Sequence, residues 1–511
     1  MKNIFVLSAK AGAGKTTVVI EAAIKQAQYQ PVVIMQETLD LLKQTEADIK
    51  AKSSIQIEKI TSDECSAAQT IYNSVKDKTP RIMLITQAGF MLAMNKGADF
   101  SEFIGYWDEF MQVADVVKVK TDISSEVFTR SYTVVGIQGS HAIIQASDDL
   151  KTWAKTGSLQ DYGLDGMTKA GVVDMLLADY RVNYLSADKK YITSIITPDV
   201  FKDFSSLTLI GACWEYHEQA MLWKQFKVQM SPLQTSLRFV EINGSVLLGY
   251  VADVQWSSTF MTKNQNEVSS IMNDVFKEYD HYLFCCNENV QMSGLNKYVN
   301  DPYDGIQAGA RWVSPKCAGL NKFKEADAAA FLCCLNRPTE YYKQIKDIFQ
   351  LSTLDVYKLE VTCHNAYYAY QFLYRTRIRL YNGESVNFVV GSKAIAEVVK
   401  EMFNCGTLFK VDTCGIITET ATLNDATAAM RIHSSEQKEG AASSKELLKE
   451  KKKEVSGLIR RATQLRLDVE TLDMWKSQRD IAVTANDIDA LCSLQEEIKN
   501  VFHVNGWNLP A

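Results

Sequence analysis

No feature constrains the fold of this chain more than AKAGAGKTT, Ala9 to Thr17, which lies between an apolar run, Ile4 to Leu7, and a helix-like run, Val18 to Gln28. A strand, a loop of small residues ending in Lys-Thr, and a helix in that order make a phosphate-binding loop. Small residues let backbone N–H groups close round an anion, the helix start adds its partial positive charge, and Lys15 reaches the phosphates. Gly12, Ala13, Gly14, Lys15, Thr16 and Thr17 are therefore expected to hold a nucleotide, with the Thr16 hydroxyl as a ligand of Mg2+. A tight strand–helix turn alone does not explain Lys-Thr after two spaced glycines. The usual pattern has glycine where this chain has Ala9.

A nucleotide site of this kind needs a second carboxylate for the metal and a group to activate water. FIGYWDEFMQV (103–113) supplies both at the end of an apolar run. Asp108 is expected to hold Mg2+ through its water shell, and Glu109 to orient or deprotonate the attacking water. An Asp-Glu pair is by itself an ordinary surface turn. Its position after the phosphate loop and two further candidate strands gives it weight.

The apolar runs IFVL (4–7), VVIM (32–35) and IMLIT (82–86) alternate with helical segments, which implies a parallel sheet with crossover helices. Residues 117–147 instead alternate polar and apolar, as antiparallel strands do, and about 116–200 reads as an insertion. The first style returns at LTLIGAC (207–213), and a second set of strands follows with YLFCC (282–286), AAFLCC (329–334) and FVVG (388–391). Two α/β halves, 1–233 and 234–433, are expected to place a ligand between them. Residues 434–511 read as a polar linker and a helical hairpin. Val455, Leu458, Ala462, Leu465, Val469 and Leu472 form a seam at steps of three and four. A second helix is expected from about Asn486, with Ile488, Leu491, Ile498 and Val501 on one face.

A net charge of −6 gives no sign of a generally basic nucleic-acid binder, although a basic cleft can sit on an acidic protein. No run of about 18 uncharged apolar residues is present, so no membrane span is expected, and no signal peptide is expected before the first strand. The eleven cysteines show no C-x-x-C and several sit in apolar runs, which fits reduced core thiols in the cytoplasm. The six histidines are scattered without an H-x-x-x-H pair, so a zinc enzyme is not supported.

In their order, these motifs resemble those of the superfamily 2 helicases and translocases, whose phosphate loop reads A-x-x-G-x-G-K-T and so accounts for Ala9. PVVIMQETLDLLKQT (31–45) is similar to the family's next motif, where a strand leads into a loop facing nucleic acid through Gln36. ITQAGFML (85–92) looks like the following one, with Thr86 near a phosphate of the bound strand. WDEF stands for the Asp-Glu box, and Gly211 to Cys213 for Ser-Ala-Thr. SPKCAGLNKFKEADAAAFLCC (314–334) resembles a motif of the second half, placing Gly319 and Asn321 near nucleic acid and nucleotide. AYQFLYRTRIRLYNG (369–383) resembles the arginine-finger motif. Its Gln371, Arg375 and Arg379 fall at i, i+4 and i+8, one face of a helix.

The resemblance implies an α/β fold of two RecA-like parallel-sheet domains with a β-containing insertion and a C-terminal helical hairpin. It also implies ATP and Mg2+ as cofactors, and nucleic-acid-stimulated ATP hydrolysis in which Glu109, Gln371, Arg375 and Arg379 take part. The expected partner is DNA in preference to RNA, in replication or recombination, with room for a protein partner at the hairpin. The chain departs from the family at DEFM, at GAC, which lacks both hydroxyls, and in the missing glycines of the arginine motif. With eight residues before Ala9, no upstream adenine-reading motif is expected. These departures point to a divergent member of the kind found in phage or plasmid replication.

Two rivals use the same opening. A partitioning ATPase places a lysine like Lys10 on a partner's nucleotide, but expects glycine where Ala11 stands and an aspartate after the second strand. A DNA-packaging motor needs acidic nuclease residues on strands beyond about 230, and YLFCC and AAFLCC carry none.

Overall fold

The structure is a computed structural model that describes residues 4–61, 66–119, 125–164, 167–168, 171–228, 230–233, 237, 246–277, 279, 281–287, 309–315, 323–380, 383–403, 407–410, 451–460, 462–463, 469–484, 493–499 and 501. The chain divides into two units, Met1–Thr418 and Glu419–Ala511.

In the first unit, β1 (Ile4–Ser8), β2 (Val32–Gln36), β3 (Ile57–Ile60), β4 (Ile82–Thr86) and β5 (Ile104–Asp108) join β11 (Ser206–Gly211) and β12 (Met230–Pro232). They form one parallel sheet in the order β12-β1-β11-β5-β2-β4-β3. A parallel sheet is covered on both faces, so its strands read as continuous apolar runs; β2 and the first four residues of β4 are buried throughout. Alternate residues serve the two faces. Leu7, Ile34, Leu84 and Ile210 pack with Val19, Ile20, Ala23, Leu42 and Ile49 of the helices Lys15–Gln26 and Leu39–Lys52. On the other face, Val33, Met35 and Ile85 meet a cluster of rings that includes Phe90, Phe100, Trp107, Phe201 and Phe204. Because the strands are parallel, Ser8, Gln36, Thr86, Asp108 and Gly211 all stand at the carboxyl edge, where open α/β sheets bind their ligands.

Between β5 and β11, which pair directly, the chain makes β6 (Ala114–Lys118), β7 (Tyr132–Gln138), β8 (His141–Ala146), β9 (Arg181–Leu185) and β10 (Tyr191–Ile196). These form an antiparallel sheet in the order β6-β10-β9-β8-β7 over its own core of Phe128, Trp153, Leu164 and Leu176. Its β7–β8 turn reaches the helix Thr339–Phe349, where Gln138 donates to the Ile348 carbonyl at 3.0 Å and His141 Nδ1 lies 3.1 Å from Asp347.

A second parallel sheet comprises β13 (Val246–Ala252), β14 (His281–Cys285), β15 (Gly309–Trp312), β16 (Ala328–Phe331), β17 (Val386–Ser392) and β18 (Thr407–Lys410), in the order β15-β14-β16-β17-β13-β18. The fold is thus α/β with two parallel sheets, as two RecA-like domains require. Between β16 and β17 runs a helical stretch in three parts: Thr353–Lys358, a wide π-helical segment Leu359–Ala366, and Tyr367–Leu373. Cys213, Cys285, Cys286, Cys333, Cys334 and Cys363 are buried free thiols.

In the second unit, helical residues 451–460, 462–463, 469–484 and 493–499 bury Val455, Leu458, Ala462, Leu472, Trp475 and Ile498 together. Leu465, Asn486, Ile488 and Leu491 of the expected hairpin lie outside the described residues.

Candidate nucleotide site

The phosphate loop follows β1 directly. Gly12 (φ 75°) and Gly14 (φ 80°) both take left-handed backbone. Around Gly14 a Cβ would meet nothing within 4 Å, so conformation and not space calls for glycine there. Gly14 caps the helix Lys15–Gln26, on whose exposed first turn Thr16 and Thr17 stand. Lys15 Nζ donates to the carbonyls of Ala9 (3.0 Å) and Lys10 (2.9 Å), folding back over the loop. Desolvation lowers its pKa below the ordinary lysine value, partly offset by Glu109, Cys213 and Asp108.

Asp108 ends β5, and Glu109 follows with φ 71°, left-handed backbone that a residue with a side chain adopts only under constraint. The constraint is visible. Glu109 N–H donates to the Ile210 carbonyl at 2.8 Å, and Gln87 Nε2 donates to the carbonyls of Asp108 (2.6 Å) and Glu109 (3.3 Å). Phe110 lies across Gly211, where an added Cβ would fall 2.5 Å from its ring. Desolvation pushes the Asp108 carboxyl up, opposed by a hydrogen bond from Gln36 and by Lys15. Glu109 is pushed up to about 7, first by desolvation and then by the Asp108 charge, with Lys15 and Arg375 pulling the other way.

Gln36 requires a correction. It was expected to face nucleic acid, but it is fully buried, with its amide donating to Asp108 Oδ2 at 2.8 Å. β2 lies beside β5, so the side chain at its end turns toward the neighbouring carboxylate. Thr86 stands at the end of β4, where its hydroxyl accepts Gly89 N–H at 3.0 Å and caps the helix Gln87–Asn95. Gly319 and Asn321 lie outside the described residues.

The second half meets this edge through the helix Tyr367–Leu373. Gln371 Nε2 lies 3.5 Å from Glu109 Oε2, and Arg375 donates to Gln371 Oε1 at 3.4 Å. Both are buried. The single helical face expected to carry Arg379 as well does not form, because the helix ends at Leu373. Arg375 N–H donates to Phe372 O, three residues back, and Arg377 is drawn away by the Ala326 carbonyl (2.9 Å) and an ion pair with Glu384 (2.8 Å). Arg379 therefore sits on a separate short turn, Arg377–Leu380.

Two contacts were not foreseen. Ala11 N–H donates to the Tyr370 hydroxyl at 3.2 Å, and Lys10 Nζ donates to the Phe403 carbonyl at 3.4 Å, so the second half touches the phosphate loop itself. Gln87 and Tyr370 each adjoin a residue singled out from sequence, but nothing in their spacing marks them.

A lysine, two carboxylates, a glutamine and an arginine thus converge at the carboxyl edge of the first sheet. Asp108 and Glu109 are desolvated side by side, an arrangement that a divalent cation compensates, and the Thr16 hydroxyl supplies a further hard oxygen. This donor set fits one Mg2+ shared with the phosphates of a nucleotide.

No protein-family model matches the chain, and no curated protein matches it in sequence. Among solved structures it is similar to an apo form of XPD, at 12% identity and a TM-score of 0.48, over 80% of this chain and 97% of that one. It is similar also to Dbp5 of S. cerevisiae bound to RNA and ADP BeF3, at 10% identity and a TM-score of 0.36, over 80% and 85%. A DEAD-box protein from the hyperthermophile Methanococcus jannaschii gives 12% identity and a TM-score of 0.27, over 80% and 88%. Likeness at these scores adds nothing to the geometry above.

Proposed function

We propose that the chain is an ATP hydrolase that couples turnover to movement along or separation of nucleic-acid strands, with DNA as the expected substrate in replication or recombination. One observation carries the reading: Gln371 and Arg375 of the second half stand against Glu109 of the first, in a site that also holds Lys15 and Asp108. In this reading the amides of Gly12 to Thr17 and the Lys15 ammonium bind the ATP phosphates. Thr16 and Asp108 would hold Mg2+, which would supply charge neutralisation of the phosphates when bound. Glu109, once deprotonated, takes the proton of the attacking water. Arg375 neutralises charge that grows in the transition state, and Gln371 orients Glu109. Arg379 joins when the cleft closes. Thr86 is assigned to a strand phosphate, whereas Gln36 passes from that role to orienting Asp108.

Nucleic acid laid across both halves favours closure and so stimulates turnover, mainly through sequence-independent phosphate contacts. Lys10, which a partitioning ATPase would send to a partner's nucleotide, is engaged by Phe403 of its own chain. The insertion and the C-terminal unit are assigned to the choice of substrate or protein partner. No helix among the described residues is long and apolar enough to cross a membrane. The test is phosphate release from ATP with single-stranded DNA, duplex DNA and RNA as competing stimulators. Turnover that no nucleic acid raises would rule out the motor.

A further inference from the structure

We infer that Glu218 and His364 are a positioning pair that seats the arginine-bearing segment of the second half on the nucleotide site; the inference rests on the ATPase reading. Glu218 opens the short helix Glu218–Trp223, a few residues beyond β11, and His364 lies in the π-helical segment Leu359–Ala366. Each is only 3% exposed, and Glu218 Oε2 lies 2.8 Å from His364 Nε2 across the two halves.

The partners define one consistent set of proton positions. Tyr342 Oη lies 2.8 Å from His364 Nδ1 and accepts Arg337 N–H at 3.1 Å. A hydroxyl that accepts one N–H keeps its own proton and can donate it to Nδ1, with Nε2–H donating to the carboxylate. A neutral imidazole satisfies every contact.

The other carboxylate oxygen holds the first half. Glu218 Oε1 accepts Ala114 N–H at 3.3 Å, and the neighbouring Gln219 Oε1 accepts Met111 N–H at 3.0 Å. Met111 to Ala114 is the segment that leaves Glu109. The pair therefore grips the chain just after Glu109 and, through His364, the helical stretch that reaches Gln371 two turns later. At 1.5 Å per residue, Gln371 stands about 10 Å along that stretch. A helix transmits a shift at one end to the other, so where His364 is held decides where Gln371 and Arg375 arrive.

Two general considerations favour a positioning role over plain stability. A buried carboxylate returns little net stability for the desolvation it costs, but a fully hydrogen-bonded polar cluster fixes one arrangement against others. A π-helical segment is rare and is frequently found at functional sites; here it carries His364 at the interface.

The experiment uses the full chain and three readings: hydrogen exchange resolved by segment, affinity for a fluorescent ADP, and kcat with and without single-stranded DNA. Glu218→Leu should speed exchange at 111–114 and 359–375 and leave distant segments alone. It should lower kcat at least about tenfold and change ADP affinity by less than about twofold. Glu218→Gln, whose amide oxygen still accepts Nε2–H but whose NH2 then faces Ala114 N–H, keeps the hold on His364 and loses the one on Ala114, so its kcat should fall between those of the wild type and Glu218→Leu. If Glu218→Leu does not fold, His364→Gln supplies the same readings. Exchange that rises evenly along the chain, or kcat that does not move, overturns the inference alone. A wild-type protein that binds ADP but never hydrolyses ATP overturns the ATPase reading and the inference with it.

Discussion

The side-chain amide of Gln371 lies 3.5 Å from the carboxylate of Glu109, although 262 residues separate them. Glu109 is held in left-handed backbone by Ile210 and Gln87, and Gln371 is tied to Arg375. The proposed water-activating group of one half and the charge-neutralising group of the other are thus joined through a single glutamine, and any change in the cleft is felt by both.

Lys15 and Glu109 should separate binding from chemistry. Lys15→Ala removes the cation that folds over the loop and should abolish binding of a fluorescent nucleotide. Glu109→Gln should bind nucleotide normally and lower kcat by a thousandfold or more, on the order expected for a lost general base and water-positioning group. Normal turnover by Glu109→Gln would remove this residue from the mechanism.

The pH dependence follows from the same carboxyl. Glu109 titrates near 7, and only its deprotonated form accepts the water's proton, so kcat should rise with pH through about 7 and level off above. The sign for stability is the opposite. A carboxyl whose folded pKa is raised binds its proton more tightly in the folded state, so between its ordinary value near 4.5 and about 7 each step up in pH costs stability. Glu109→Gln should therefore raise the melting temperature more at pH 8 than at pH 5, as calorimetry at the two values would show.

Arg375→Ala should lower kcat roughly a thousandfold while ground-state ATP affinity changes far less, because the contact matures in the transition state. Nucleic acid should still bind and should no longer stimulate. Lys10→Ala removes a contact to a backbone carbonyl and should cost little. A silent Arg375→Ala beside a crippled Lys10→Ala would favour the partitioning ATPase.

Gly211→Ala puts a methyl group into the ring of Phe110. Overpacking of this kind costs about 1–3 kcal/mol, and the ring it displaces belongs to the residue after Glu109. Both melting temperature and kcat should fall, and Phe110→Leu in the same chain should restore part of each. A melting temperature unchanged by Gly211→Ala would show that Phe110 yields freely.

Ending the chain at Thr418, where the first unit ends, should leave basal ATPase nearly intact. The apolar residues Val455, Leu458, Leu472, Trp475 and Ile498 bury one another within the second unit. Loss of nucleotide binding on that truncation would mean the second unit supports the site.

The phosphate loop, the apolar strands and the acidic end of β5 were legible because each is decided by residues adjacent in sequence. A loop of small residues before Lys-Thr has few other conformations to take, and a strand buried on both faces must be apolar throughout. Gln371 and Arg375 were singled out through the resemblance, and they lie close together although Arg375 falls past the end of the helix. What the tertiary structure decided are contacts between segments whose separation no spacing encodes. Gln36 turns inward because β2 pairs with β5. The helix stops at Leu373, short of Arg379, and the chain beyond it is pinned through Arg377 to Ala326 and Glu384. Tyr370 reaches Ala11, and His364 reaches Glu218, only because helical segments of the second half pack against the first. Local steric and hydrogen-bonding preferences act over a few residues, whereas the meeting of two domain surfaces depends on every layer between them, and that is why the site's parts could be read along the chain but its wiring could not.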